Sequence, residues 1–363
     1  MTHDPTSGDA VDDAITNFER AISLDTGFAA GYVGLANARF WQYERSRFHY
    51  RPDSMLLATA LNHARRGVAL APEFAEAHAT LSYLLAASGR TGEARDAARQ
   101  AITLQPHHWG HYFRLGHAAW GEEQLEALTR CLHLYPAFPF AHFQIAMVHV
   151  ARQTLDLATR VLQEGVAVQE GMGEARSRFP ANGLHWMLGS ILLTRRDVDG
   201  ALAEFERELS GAGRGLYARE FSVAALNGRG FALVGAARLE EARETFGRSL
   251  AFHDEQARAH LGLAVVGRRL QQAGATADSI ARAQEAIEQL RRGGQTIEAA
   301  LMEAGQRIVE QRNDEAVAML DRFMTEMPPG PAGGTIPIEP LFGLLAESPE
   351  LGRVLRRLAA RAT

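Results

Sequence analysis

Residues 78–112 read HATLSYLLAASGRTGEARDAARQAITLQPHHWGHY, and their spacing decides the fold. Leu81, Ser82 and Leu85 fall on one helical face, Ala94, Ala98 and Ala101 on a second, and Pro106 stops the second helix. Tyr112, Leu115 and Gly116 then take the places of His78, Leu81 and Ser82 one period later. Small residues at these places let two antiparallel helices approach closely. Each pair must stack on the next to bury its apolar stripe, so the repeat predicts one continuous helical core.

Working outward, the same places recur along most of the chain. Ahead of the quoted stretch stand Tyr32, Leu35 and Ala36 with Ala60, Ala64, Gly67 and Pro72, in a unit 12 residues longer than the standard 34. Both of its helices are expected to be extended, with Pro52 opening the second. Asp12 to Ser23 reads as a second helix without its first, with Ala14, Phe18 and Ala21 at the small places. After the quoted stretch come Leu128, Cys131 and Pro136; then His142, Ile145, Ala146, Ala158, Leu162 and Gly165; then Leu188, Gly189, Ala201 and Phe205; then Gly230, Leu233, Ala242, Phe246 and Ser249. Leu81, Leu115 and Leu188 are the expected interhelical core. The stop positions fall at 26, 72, 106, 136, 170, 213 and 254, with two intervals of 34. Gly171–Pro180 and Gly211–Gly215 read as inserted connections.

This pattern resembles the tetratricopeptide repeat: a large residue, then Leu-Gly, small residues in a second helix, then Pro. The resemblance implies an all-α, right-handed α-α superhelix of about seven irregular helix pairs with a degenerate C-terminal section. The expected divisions are a disordered 1–11, a solenoid over 12–292, a degenerate helix pair over 293–328, and an extended segment with a capping helix over 329–363. The PPGPAGG stretch at 328–334 ends the array, Ile336 to Pro340 is expected to be extended, and the last helix carries Arg353, Arg356, Arg357 and Arg361. The tail is similar to the ends of repeat arrays in bacterial regulatory proteins.

Composition narrows the function classes. The 363-residue chain is 46% hydrophobic and 22% charged, with a net charge of −5, so a disordered chain is excluded and nothing favours nucleic acid. All 38 basic side chains are arginine, which excludes Schiff-base and phosphate-loop lysines. One cysteine, Cys131, excludes an internal disulfide and a thiolate metal cluster. No apolar run is long enough for an export signal or a membrane span, so a cytoplasmic location is expected. No G-x-S-x-G, H-E-x-x-H or phosphate-loop motif occurs. Gly211, Gly213 and Gly215 follow a helix rather than a strand, which argues for a loop and against a dinucleotide turn. His107, His108, His111 and His117 form the densest histidine cluster, and His107 and His111 have metal-gripping spacing. Two of them fall in a turn with no acid nearby, so no metal, cofactor or catalytic residue is assigned.

In the family, first helices of successive units line a concave groove. Carried over residue by residue, the groove is Asn37, Phe40, Tyr83, Phe113, His117, Trp120, Phe140, Phe143, Met147 and Trp186. Contiguous exposed aromatic and apolar side chains are what partner recognition uses. The family's charged clamp for a terminal carboxylate matches only at Asn37 and is not carried over. Arg258, Arg268 and Arg269 are candidate anion contacts, since Arg presents a planar fork to carboxylates. The expectation is a scaffold or regulatory protein that binds a protein or peptide segment and is not an enzyme. The alternatives are an enzyme or a small-molecule or metal sensor on the same solenoid, and a regulatory piece of a larger bacterial signalling protein, suggested by the half-unit start.

Overall fold

A computed structural model describes residues 8–47, 52–172, 181–211, 217–328, 330–345 and 348–363. Among them the chain forms nineteen α-helices and no strand. Helix α1 (Gly8–Leu24) precedes the hairpins and packs against α2. Hairpin pairs follow: α2 (Ala29–Arg47) with α3 (Ser54–Leu70), α4 (Ala75–Ala87) with α5 (Thr91–Leu104), and α6 (Trp109–Ala118) with α7 (Glu122–Leu134). Then come α8 (Pro139–Ala151) with α9 (Leu155–Gly171), α10 (Leu184–Thr194) with α11 (Val198–Gly211), and α12 (Ala218–Gly235) with α13 (Leu239–Leu250). The last pairs are α14 (Ala257–Arg269) with α15 (Ala273–Arg292) and α16 (Thr296–Val309) with α17 (Asn313–Glu326). The chain divides into two compact units, Met1–Ala137 and Phe138–Thr363. The connections expected near 171–180 and 211–215 fall largely outside the described residues.

One turn joins helix to helix in most hairpins. At the end of α4, Arg90 N donates to Leu85 O and Gly89 N to Ala86 O, with Gly89 at φ 77°. This double closure satisfies carbonyls that the last helical turn leaves open. The same pair of bonds recurs at Gln153, Arg196, Ala237, Gln271 and Gln311, all at positive φ without being glycine. The α6–α7 turn departs from it: Ala119 is extended and Gly121 takes φ 70°, after a first helix of only 10 residues.

The small residues do what their spacing predicts. Ala94, Ala98 and Ala101 are completely buried, as are Ala60 and Ala64. In unit 2 glycine replaces alanine where an aromatic must fit. A Cβ on Gly189 or Gly228 would come within 2.8 or 2.5 Å of the Phe205 ring, and Phe246 is wedged likewise by Gly230 and Gly262. Both rings are fully buried. Burying a large aromatic contributes about 1.5–3 kcal/mol, and only glycine leaves room for it here.

Several local expectations are corrected. The N-terminal helix starts by Gly8, because Val11 and Ile15 are buried together against Leu35 and Ala38; residues 1–7 lie outside the described set. Pro52 precedes α3 rather than opening it, and Asp53 caps the helix by accepting from Met55 N at 3.0 Å. Leu188 is buried, whereas Leu81 packs on its core cluster from the rim and Leu115 is half-buried.

The C-terminal segment is the main tertiary surprise. Residues 336–340 are not extended. Pro337 fixes its own φ, and Ile338 N bonds Thr335 O at 3.0 Å, closing a 3-10 turn over Ile336–Ile338. Helix α18 (Pro340–Gly343) follows, then α19 (Pro349–Arg361). The turn lies against first helices α8 and α10, α18 against α10 and α16, and α19 against α17 and α8. Arg152 Nε donates to Ala362 O at 2.8 Å and Gln153 Nε2 to Leu355 O at 3.0 Å. Unit 2 therefore has its first pair tied to its last by the end of the chain.

Candidate functional site

In unit 1 the first helices α2, α4 and α6 pack side by side. Asn37 Nδ2 bonds Thr80 Oγ1 at 3.2 Å, linking α2 to α4. Phe40, expected to be open, is 6% exposed and meets Tyr83 edge-on at 4.8 Å. Tyr83 in turn lies 4.9 Å from His117, and Phe113 lies 6.2 Å from the same imidazole. Tyr83, Phe113, His117 and Trp120 are all half-buried. Burial, with Arg114 and Arg47 adding repulsion, pushes the His117 imidazole down to about 4, so it is neutral at ordinary pH. The result is a ring wall running from the buried Phe40 on α2 through Tyr83 on α4 to His117 and Phe113 on α6, while Trp120 falls in the turn beyond the end of α6.

Two residues of this wall were missed by the repeat frame. Tyr43 lies 5.8 Å from Phe40. Arg114 sits over the Tyr83 ring with Cζ 4.1 Å from its centroid, and 5.8 Å from that of Phe113. A signal was present: no acidic residue lies within seven positions of Arg114 on either side.

The four groove residues assigned in unit 2 are surrounded differently. Phe140 and Phe143 stack at 5.7 Å, and Phe221 of α12 contacts both Phe143 and Trp186. Phe140, Phe143, Met147 and Trp186 all pack against one core cluster, whose buried members include Ile338 of the C-terminal segment. Ile336, Ile338, Leu341, Phe342 and Leu345 are each less than 5% exposed. Gly305 on α16 makes the seat for Leu341: a Cβ there would lie 2.9 Å from Leu341 Cδ1.

Arg258, assigned as an anion contact, does hold carboxylates, and they are the chain's own. Its guanidinium reaches Glu298 at 2.9 Å and Glu339 at 3.0 Å. Glu339 is doubly used, since its other oxygen accepts from Leu341 N at 3.4 Å and caps α18. Arg269 donates to Val234 O at 2.8 Å, and Arg268 is half-buried on the same helix.

The histidine cluster does not converge. His107 and His108 are exposed, whereas His111 is 1% exposed with Nε2 3.2 Å from Gln105 Oε1. Burial, with charge from His108 and Arg114, pushes His111 down to about 4. Among the described residues no three His, Cys, Asp or Glu side chains are grouped to hold a metal. Cys131 is fully buried, and burial pushes its thiol up to about 12, far from a thiolate nucleophile. No described helix is long and apolar enough to cross a membrane.

Stacked helix hairpins whose first helices share one face define a helical-repeat solenoid, an architecture typical of protein-interaction scaffolds. A family profile for the tetratricopeptide repeat matches residues 75–108, the α4–α5 hairpin and its following turn. That hairpin is a tetratricopeptide repeat, and the chain as a whole shares the fold of a repeat solenoid. Among solved structures it is similar to the APC/C hetero-tetramer Cut9-Hcn1, at 15% identity over 81% of this chain and 57% of that one, with a TM-score of 0.55. Yeast Tom70 matches at 10% identity over 97% of this chain and 90% of that one, TM-score 0.48. MamA matches at 18% identity over 47% of this chain and 95% of that one, TM-score 0.36. No protein of curated function matches in sequence.

Proposed function

We propose that this protein binds an extended protein or peptide segment on the first-helix face of unit 1, acting as a cytoplasmic scaffold or regulatory subunit. Asn37, Tyr83, Phe113 and His117, backed by the buried Phe40 and followed by Trp120 in the next turn, form the binding wall, with no catalytic group, cofactor or metal. The observation that supports this reading is the seat that the first helices of unit 2 give to residues 336–343. The same kind of face there already accepts a short irregular segment through apolar contacts and one carboxylate.

Magnitudes decide which face serves a partner. Five nearly buried apolar side chains at about 1.5–3 kcal/mol each hold the C-terminal segment in unit 2. A micromolar partner returns about 8 kcal/mol, near the bottom of that sum of roughly 7–15 kcal/mol, so displacing the segment gains little or costs free energy. Phe140, Phe143, Met147 and Trp186 therefore serve in packing, and the ring wall of unit 1 serves in binding.

Trp120→Ala tests this. The side chain is half-buried, so truncation should destabilise by less than the roughly 3–5 kcal/mol typical of a buried aromatic. Partner affinity should fall by about 2 kcal/mol or more. The intact chain and the variant are purified from the native host, co-purifying protein is identified by mass spectrometry, and affinity is measured beside a denaturant midpoint. A partner retained at full affinity by a well-folded Trp120→Ala variant would sink the reading.

A further inference from the structure

Many arginines on this chain's helices are held by a carboxylate three residues away: Arg90 by Glu93, Arg238 by Glu241, Arg312 by Glu315. Arg114 is different. Its nearest acidic residue in sequence is Glu122, and among the described residues its contacts are with the rings of Tyr83 and Phe113 rather than with a carboxylate. What holds it is the Tyr83 ring at 4.1 Å, with Phe113 further off. Ring attraction fixes the guanidinium but does not occupy its N–H donors, which form a fork suited to a carboxylate. The nearby charges are already matched: His117 is neutral, and Arg47 is paired with the buried Glu44.

Unit 2 shows what a first-helix arginine of this chain accepts when a segment lies on the face. Arg258 takes Glu339, a carboxylate flanked by Ile338 and Pro340 and followed by the buried Leu341 and Phe342. The Glu339 side chain is only 10% exposed there. Acid and apolar neighbours are recognised together.

We infer that Arg114, with Tyr83, Phe113 and His117, is a carboxylate subsite in unit 1, and that its occupant is a partner segment carrying one acidic side chain between aliphatic or aromatic residues. This rests on the peptide-binding reading and adds the chemistry of the ligand. The rings take the apolar flanks, and the guanidinium takes the carboxylate with a paired, charge-assisted bond.

The probe is an end-blocked synthetic peptide, GTIPIEPLFG, copying residues 334–343, so that its glutamate is the sole charge. It is compared with the same peptide carrying Gln in that place, each titrated into the full chain by fluorescence anisotropy. The Glu peptide should bind about 10- to 100-fold more tightly than the Gln peptide, as removal of a bond to a charged group predicts. Arg114→Gln should erase that difference, Arg114→Lys should restore part of it, and Phe113→Ala should weaken both peptides. A Glu preference that survives Arg114→Gln, or that disappears in Arg258→Gln instead, overturns the subsite and points to exchange into unit 2. Equal binding of both peptides, weakened by Phe113→Ala, removes the acid subsite and leaves the peptide reading standing. No binding of either peptide at millimolar concentration overturns both. Because the Glu-to-Gln comparison is made on the unaltered protein, it holds even if an Arg114 variant folds poorly.

Discussion

Units 1 and 2 are built from the same hairpin, yet their first-helix faces end differently. In unit 2 the chain's own residues 336–345 lie on α8, α10 and α16, bury their apolar side chains and give Arg258 its carboxylate. In unit 1 the comparable face carries a half-buried ring wall and an arginine held by rings, with no such segment among the described residues of that unit. The difference teaches that groove-face position in a repeat does not by itself make a residue a ligand contact. A first-helix aromatic is a binding residue only where nothing from the same chain has already taken the place, and a stable occupant turns it into core.

The largest expected effect breaks that contrast at its source. Phe342 is 2% exposed, so Phe342→Ala should cost unit 2 about 3–5 kcal/mol. Hydrogen exchange should rise through α8, α10 and α16 while unit 1 keeps its protection. If protection is unchanged in unit 2, the segment is an ornament on that face and unit 2 regains its candidacy as a partner site.

Acid should act in the opposite direction, on unit 1. His111 has its folded pKa lowered to about 4, against about 6.5 when unfolded, mainly because burial disfavours the charged ring. For a base lowered on folding, the stabilisation is full above about 6.5 and is lost as pH falls towards 4. At about 1.4 kcal/mol per unit, the loss is on the order of 2–3 kcal/mol for this nearly buried side chain. His117 moves in the same direction. The thermal midpoint followed from pH 7 to pH 4.5 should drop, and His111→Gln should flatten the drop. In unit 2, His142 and His260 are also lowered, so hydrogen exchange resolved by unit is the measurement that sharpens the comparison.

The smallest effect lies in the shared turn. Gly89 in unit 1 takes φ 77° without strain, whereas Ala237 in unit 2 takes φ 59° with a Cβ. Gly89→Ala should cost about 1 kcal/mol, and Ala237→Gly should gain about 0.5 kcal/mol once the extra freedom of the unfolded glycine is subtracted. Denaturant midpoints would resolve both. Equal and opposite shifts of zero would mean that the double closure, and not the backbone angle, dominates the turn.

Much of the hairpin pattern was legible because it is local. Ala94, Ala98 and Ala101 announce a close helix contact by their size and spacing, and all three are completely buried. The lengthened pair before them gives helices of 19 and 17 residues. The residues named for the face sit on first helices, as the spacing implied, except Trp120, which falls in the turn after α6. Their environments were not legible, because covering depends on what comes to rest on them. Arg114 was missed for a related reason: the groove residues carried over on α6 were Phe113 and His117, and Arg114 lies between them, over the previous repeat's Tyr83.

The sequence by itself determined that the chain is a stack of helix pairs, since a period of 34 residues and a stop after each second helix record contacts between near neighbours. Only the tertiary structure decided which face is filled. Arg258 meets Glu339 across 81 residues, and Arg152 meets Ala362 across 210. No period encodes such contacts. They depend on where the array brings its own end, and that place is fixed by the summed geometry of every pair in unit 2 rather than by any stretch of residues read alone.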